Sequence, residues 1–244
     1  MALKAIDVKK DDEVITTSHT AFATIAAIID VGAIPVFIDI KEDDFTINTK
    51  EIEKKITKKT KAIIAVHIYG CPVDILKIKQ ITTKRKIKLI EDCAQAHGAE
   101  FNKKRVGSFG DFSCFSFYPT KNLSTFGDAG MICTNKVKMY KKIQLLREYG
   151  WIKKNISIRD GSNKRLDEIH AGILNVKLDY LDKFNDKRIK IANRFLKKIQ
   201  SEKLILPKVK ESDITSMVPT SSTSITLLLG DCLATTVMHQ KKFS

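Results

Sequence analysis

The chain has 244 residues and a formal net charge of +15 at pH 7, and 43% of its residues are hydrophobic. This length is enough for one large domain or two of average size, and the apolar content is enough for a buried core. The 5 cysteines, an odd number without C-x-x-C spacing, argue against a disulfide framework or a cysteine metal site and favour reduced thiols.

The sequence shows no signal peptide. Its most apolar late stretch, residues 225–238, is interrupted by Asp231. That stretch is shorter than the roughly 20 apolar residues that span a bilayer. We therefore expect a cytoplasmic protein without a membrane segment.

Short apolar runs alternate with helical patterns along the chain. The runs that predict strands are residues 13–17, 35–40, 62–67, 88–91, 112–117 and 131–134. Patterns with a helical period occupy residues 20–31, 49–55, 75–86, 136–149, 166–179 and 185–200. This alternation predicts an α/β fold with a mainly parallel sheet covered on both faces. A hydroxyl in the segment 18–20 is expected to cap the first helix.

Two residues are candidates for binding one cofactor. Asp92 follows the apolar run 88–91, and Lys121 follows the run 112–117. Ligands of parallel sheets bind beyond the carboxyl ends of the strands, which is where Asp92 falls. Pyridoxal phosphate requires a lysine amine for covalent attachment and a carboxylate facing its pyridinium nitrogen. Asp92 and Lys121 have these chemistries, although a helix cap and a solvated lysine are the simpler interpretations of the pair alone.

Longer motifs surround both residues and occur in a fixed order. They are Glu91-Asp92-Cys93-Ala94-Gln95-Ala96-His97-Gly98-Ala99, Val106-Gly107-Ser108-Phe109-Gly110-Asp111, Ser116-Phe117-Tyr118-Pro119-Thr120-Lys121 and Gly127-Asp128-Ala129-Gly130. They resemble the sugar aminotransferases of the DegT/DnrJ/EryC1/StrS family. Asn163-Lys164-Arg165-Leu166-Asp167-Glu168 resembles the branch that acts on 3-keto deoxysugar nucleotides. The resemblance covers residues 10–207 and implies the large domain of aminotransferase fold type I.

The resemblance implies roles for three residues around the cofactor ring. Lys121 would bind the cofactor covalently and act as the catalytic residue. Asp92 would face the pyridinium nitrogen, and Gln95 would contact the ring or its phenolic oxygen. No metal is implied.

Three further roles follow from the same resemblance. Ser116 would hold the phosphate, and Phe22 would stack on the ring face. Asn163 would reach the phosphate across a dimer interface, so a homodimer is expected. Taken singly, Ser116 also fits an ordinary strand serine and Phe22 a core aromatic.

The start of the chain departs from the family pattern. The family has an earlier segment with a Gly-Thr or Gly-Ser step, at a helix N-terminus that cradles the cofactor phosphate. This chain opens with Met1-Ala2-Leu3-Lys4 and lacks that step. We therefore expect an N-terminally truncated chain with an incomplete phosphate cup, weak cofactor retention and an uncovered sheet edge beside residues 131–134.

The end of the chain departs as well. Residues 208–216 form a polar junction, and residues 217–244 resemble a short part of an arabinose-5-phosphate isomerase domain; a C-terminal helix without chemistry is the alternative. The predicted organisation is an α/β large domain at 1–142, a helical continuation toward a truncated small domain at 143–207, the junction, and an isomerase-like remnant.

These observations predict transamination of a keto deoxysugar nucleotide at C3 with glutamate as amino donor, in surface polysaccharide or deoxysugar biosynthesis. A catalytically inactive or accessory fragment of the same fold is the alternative. The net charge raises a third hypothesis, a nucleic-acid-binding protein. The basic residues are spread along the chain, however, without interleaved aromatics or a DNA-binding motif. We expect no nucleic-acid partner, and a positive field that attracts an anionic nucleotide sugar.

Overall fold

The structure is a computed structural model that describes residues 1–199. Its strands are β1 (Glu13–Thr17), β2 (Ile34–Ile38), β3 (Thr60–Val66), β4 (Lys88–Asp92), β5 (Glu100–Phe101), β6 (Lys104–Arg105), β7 (Phe112–Ser116), β8 (Gly130–Cys133), β9 (Trp151–Lys153) and β10 (Ile156–Ser157). Its α-helices are α1 (Ala2–Ala5), α2 (Phe22–Asp30), α3 (Ile52–Lys55), α4 (Ile75–Arg85), α5 (Val137–Arg147), α6 (Glu168–Leu178) and α7 (Leu181–Lys198). A 3₁₀ turn occupies Ile68–Gly70.

Six strands form one sheet in the order β2-β1-β3-β4-β7-β8. The pairings among β2, β1, β3, β4 and β7 are parallel, and β8 runs antiparallel to β7. The predicted α/β fold with a mainly parallel sheet is confirmed. Because the parallel strands all end at the same edge, the residues that follow them converge there.

The sheet is covered on both faces, as expected for parallel strands joined by helices. Successive residues of a strand point to opposite faces. Val14 and Ile64 accordingly enter one apolar cluster, whereas their chain neighbours Ile15 and Ile63 enter another. All four side chains are buried. Because both faces of the central strands are buried, these strands are continuous apolar runs in the sequence.

The predicted strands all form, with ends shifted by up to two residues. Five of the six predicted helices start one to four residues from the predicted position. The N-cap of α2 is Ala21, without a side-chain cap, because the Thr20 hydroxyl bonds the Thr24 hydroxyl at 2.8 Å instead of a free N–H. The last helix begins at Leu181 rather than at residue 185.

The sequence did not predict α1 or the hairpins β5–β6 and β9–β10. Each has only two to four residues per element, too few to show a period. Among the described residues, β8 is an edge strand of the sheet. From the sequence we expect an uncovered edge beside residues 131–134, which belong to or adjoin this strand. The junction and isomerase-like segment, residues 208–244, lie outside the described residues. Within residues 1–199 no helix is both long and apolar enough to cross a membrane.

Candidate active site

The carboxyl edge of the sheet opens into one cavity of about 870 Å³. β4 ends at Asp92 and β7 ends at Ser116, and Gly130 pairs with Ser116 at the start of β8. All three residues line the cavity. A Cβ at Gly130 would lie 2.9 Å from the Phe115 carbonyl oxygen, so only glycine fits this close approach. The topology therefore builds the site at the edge that the sequence predicted.

Both carboxylate oxygens of Asp92 accept hydrogen bonds. Oδ1 accepts from the backbone N–H of Ala94 at 3.1 Å, and Oδ2 accepts from the Thr24 hydroxyl at 2.7 Å. The first bond fixes the turn after β4, and the second ties β4 to α2. The carboxylate is thereby held in one orientation at the cavity wall.

Lys121 lies in the irregular loop between β7 and β8 and is partly buried. Burial lowers the pKa of its amine, and the negative charge of Asp92 acts in the opposite direction. The charge of Asp92 therefore acts on the Lys121 amine, but Lys121 is not among the residues that line the cavity. Their joint role at one cofactor stays a prediction. An amine with a lowered pKa has a larger neutral, nucleophilic fraction near pH 7.

Gln95 lies in the turn after β4, three residues beyond Asp92. Its side-chain oxygen accepts a hydrogen bond of 2.7 Å from the backbone N–H of Tyr69. Tyr69 has a left-handed backbone, with φ 55 and ψ 17, a conformation that few non-glycine residues adopt. Because the oxygen is engaged, the amide nitrogen is the end of Gln95 that can donate to a ligand.

Of the six predicted residues, Asp92 and Ser116 line the cavity, whereas Lys121, Gln95, Phe22 and Asn163 are not among its lining residues. Phe22 is the first residue of α2 and is 78% exposed. Asn163 is exposed, forms a β-bridge with Glu148, and accepts from Arg165 Nε at 2.8 Å. The role of Asn163 across a dimer interface stays a prediction, as does the role of Phe22.

Sequence reasoning missed a buried carboxylate directly behind the site. Glu91 precedes Asp92 on β4 and is 0% exposed. Its oxygens accept from His67 Nε2 at 3.2 Å and from the backbone N–H groups of Gly107, Phe109 and Gly110 at 2.7, 2.8 and 2.7 Å. Burial raises the pKa of Glu91, but these donors outweigh it and hold the pKa below its usual value. The charge is fully hydrogen-bonded, as a buried charge must be.

The hydrogen bonds also fix the state of His67. Its Nδ1 accepts from the backbone N–H of Val73 at 3.2 Å, so Nε2 carries the proton that it donates to Glu91. Cys93 lies close enough that the three side chains have the donor types of a metal site. Burial raises the pKa of the Cys93 thiol well above its usual value, and the Glu91 oxygens are already engaged. Hydrogen bonds account for this cluster.

The chain matches the DegT/DnrJ/EryC1/StrS aminotransferase family over residues 1–230. A dTDP-3-amino-3,6-dideoxy-alpha-D-galactopyranose transaminase from Aneurinibacillus thermoaerophilus is 46% identical over 211 residues, which are 86% of this chain and 58% of the relative. A dTDP-3-amino-3,4,6-trideoxy-alpha-D-glucose transaminase from Micromonospora megalomicea subsp. nigra is 42% identical over 197 residues, which are 80% of this chain and 53% of the relative. The chain thus spans a little over half the length of these relatives.

Solved structures show the same relationship. DesV from S. venezuelae superimposes with a TM-score of 0.82 at 35% identity, over 88% of this chain and 59% of DesV. NtdA from Bacillus subtilis, solved with the bound cofactor PMP, gives a TM-score of 0.81 at 32% identity, over 88% of this chain and 50% of NtdA. The fold is that of the fold type I aminotransferases, as predicted. The chain belongs to the DegT/DnrJ/EryC1/StrS aminotransferase family.

Proposed function

We propose that this chain forms the cofactor-binding part of a pyridoxal phosphate-dependent aminotransferase that acts on a keto deoxysugar nucleotide at C3, with glutamate as amino donor. The observation that supports it most directly is the pairing of Asp92 with Lys121. A fixed carboxylate ends β4, and a partly buried lysine lies within its electrostatic influence. The two relatives named above are 3-amino sugar transaminases by name.

The residues at the carboxyl edge fit the cofactor at its ring end. Asp92 is an acceptor, which is what a protonated ring nitrogen needs. Gln95 keeps its amide nitrogen available because Tyr69 engages its oxygen, which is what a phenolic oxygen needs. Ser116 lines the cavity and offers a hydroxyl to the phosphate. The contributions of Phe22 and Asn163 to the same cofactor are part of this proposal.

Bound pyridoxal phosphate supplies the electron sink that stabilises negative charge on the substrate carbon. The chain supplies the rest. Lys121 Nζ would hold the cofactor covalently and, once the amine of the donor has displaced it, would take up the proton from the donor's α-carbon. Asp92 would keep a proton on the ring nitrogen, since a carboxylate beside that nitrogen favours its charged form. The lowered pKa of Lys121 gives it a neutral amine for both tasks.

Three cationic side chains support an anionic sugar nucleotide as substrate. Arg147, Lys164 and Arg165 line the same cavity as Asp92. Guanidinium and ammonium groups bind phosphate oxygens through charge-assisted hydrogen bonds. The formal charge of +15 adds a general attraction for such a substrate.

The proposed assembly is a homodimer, because Asn163 is expected to serve the site of the other subunit. We also propose the division into residues 1–142 and 143–207, with α6 and α7 leading toward the small domain. The arabinose-5-phosphate isomerase resemblance of residues 217–244 stays a prediction. The family match includes the first part of that segment, since it extends to residue 230.

The function is tested by adding pyridoxal phosphate to the purified full-length chain and recording its absorption before and after borohydride reduction. We expect a reducible band and, after proteolysis, a label on Lys121 found by mass spectrometry. Lys121→Ala should abolish the label, whereas Lys183→Ala, at an exposed lysine of α7, should keep it. A label that persists in the Lys121→Ala protein would remove this lysine from the mechanism. An unlabelled wild-type chain would favour the inactive or accessory fragment.

A further inference from the structure

The loop that carries Lys121 has no regular secondary structure, yet the segment that follows Lys121, residues 122–125, is buried. The loop spans residues 117–129, between β7 and β8, and its members Leu123, Ser124 and Thr125 are only 7%, 6% and 1% exposed. Buried loops must find partners for their polar backbone groups. The side chains that supply those partners determine where the loop lies, and with it Lys121.

One set of partners comes from α7. The Asn122 side-chain nitrogen donates to the His97 carbonyl at 2.8 Å and to the Asn185 side-chain oxygen at 3.0 Å. Asn185 donates in turn to the same His97 carbonyl at 2.9 Å. The Asn122 oxygen lies 2.8 Å from His97 Nδ1. All three side chains are less than 5% exposed, so the residue next to Lys121 is anchored to a helix that is more than 60 residues away in sequence.

The second set comes from α6. Lys177 Nζ donates to the Ser124 carbonyl oxygen at 2.6 Å and to the Ser124 hydroxyl at 2.7 Å. Ser124 is three residues beyond Lys121 in the same loop. The loop is therefore held at two points, 122 and 124, by two consecutive helices. Lys121 immediately precedes the first of these points.

The partners of Lys177 are unusual for a lysine. No carboxylate within residues 1–199 lies at ion-pair distance from it. Burial lowers the pKa of the Lys177 amine, and the charge of Arg188 lowers it further. Both effects disfavour an ammonium here, and the two oxygens of Ser124 accept hydrogen bonds from it. The Lys177 ammonium group thus binds the loop and does not pair with a carboxylate of residues 1–199.

We propose that Lys177 is a positioning residue for Lys121: from α6 it holds Ser124 and so fixes the loop and the place of Lys121 relative to Asp92. This inference rests on the proposed function of Lys121. It goes beyond it because it couples the reactive lysine to the helices that lead away from the large domain. A change in the packing of α6 and α7 would then change the reactivity of Lys121 without any contact to the ligand.

A merely structural role for Lys177 makes a different prediction. If Lys177 only stabilises α6, its loss lowers the melting temperature and leaves the properties of Lys121 unchanged. If it positions the loop, its loss changes the burial of Lys121 and its distance from Asp92. The pH profile of the Lys121 amine then shifts, because both quantities set that profile.

The experiment compares full-length wild type, Lys177→Met, Lys177→Arg and the matched surface control Lys183→Met. Each protein is reacted with pyridoxal phosphate and borohydride over a range of pH, and the label on Lys121 is quantified by mass spectrometry. We expect Lys177→Met to label about tenfold more slowly, on the scale of one charge-assisted hydrogen bond, with a shifted pH profile. Lys177→Arg, which keeps the charge and the donors, should recover most of the rate, and Lys183→Met should match the wild type.

A second readout does not depend on the cofactor. Hydrogen exchange of residues 121–126 in the chain alone should be faster in Lys177→Met than in Lys183→Met. Equal rates of labelling and exchange in these two proteins would overturn the inference while leaving the proposed function intact. If the wild type takes no label, the proposed function fails. The exchange comparison then decides the loop inference by itself.

Discussion

The Thr24 hydroxyl and the Asp92 carboxylate lie 2.7 Å apart, and this bond joins the first turn of α2 to the end of β4. Thr24 is 6% exposed, so its hydroxyl reaches little water. Its other hydroxyl contact is the Thr20 side chain. The arrangement holds one Asp92 oxygen from α2 while the backbone of Ala94 holds the other.

Thr24→Val should loosen Asp92 without changing the shape of the site. Valine keeps the β-branch and removes the hydroxyl, which contributes roughly 0.5–1.5 kcal/mol through such a bond. We expect pyridoxal phosphate to bind about two- to tenfold more weakly, with a melting temperature close to that of the wild type. Titration followed by absorption measures the affinity. Thr24→Ser, which retains the hydroxyl, is the control, and equal weakening in both variants would contradict the role of the bond.

Asp92→Asn should lower the pKa of Lys121 further. The carboxylate is the group that raises this pKa against the effect of burial, and the amide carries no charge. We expect acylation of Lys121 by an amine-reactive reagent to reach half its maximal rate at lower pH in the variant than in the wild type. Lys177 provides an internal control, because its pKa is lowered by burial and by Arg188. A profile of Lys121 that does not move would show that the two residues are not coupled.

Glu91→Gln should destabilise the fold although it is nearly isosteric. One Glu91 oxygen accepts from Phe109 and Gly110, and the other accepts from His67 and Gly107. An amide nitrogen placed at either position would face two donors. Breaking such a buried charge network costs about 3–5 kcal/mol. Urea denaturation measures the loss, and Glu53→Gln at an exposed glutamate should change the free energy of unfolding little.

The sequence was sufficient for the sheet, because strand runs are local patterns. The roles of Asp92 and Lys121, which come from the ordered motifs, stay a prediction. The sequence was not sufficient for the contacts that hold the pair. Thr24 and Asp92 are 68 residues apart, and Lys177 and Ser124 are 53 residues apart. Periodicity reports only which face of an element is buried. The partner of a polar group depends on strand order and helix packing, which periodicity does not contain.

Gln95 shows the same limit at shorter range. The resemblance assigned its side chain to the ligand but said nothing of its orientation. That orientation depends on the Tyr69 N–H, and so on a left-handed residue at φ 55. Tyrosine has no preference for this conformation, so composition alone does not predict the turn. Only the fold, which brings the ends of β3 and β4 together, shows why the oxygen of Gln95 is engaged.

His97 should make the stability of the protein depend on pH above the carboxylate range. Burial lowers the pKa of His97 from 6.5 to about 4, while its hydrogen bond to Asn122 acts in the opposite direction. In the unfolded chain the imidazole takes up a proton as pH falls below 6.5, but in the folded chain it stays neutral until about pH 4. The unfolded state therefore binds more protons in this window, and stability falls as pH is lowered through it.

The expected loss between pH 7 and pH 4.5 is on the order of 2 kcal/mol, from the spacing of the two pKa values. Chemical denaturation at a series of pH values measures it. His97→Gln, whose amide can still donate to Asn122, should be less stable at pH 7 because it loses the ring contacts with Phe115 and Phe117. Its stability should fall less than that of the wild type as pH is lowered from 7 to 5. If the stability of His97→Gln changed with pH as steeply as that of the wild type, the pH dependence would belong to another group. His170→Gln, at a histidine on α6, is the matched control, and its stability should change with pH as in the wild type.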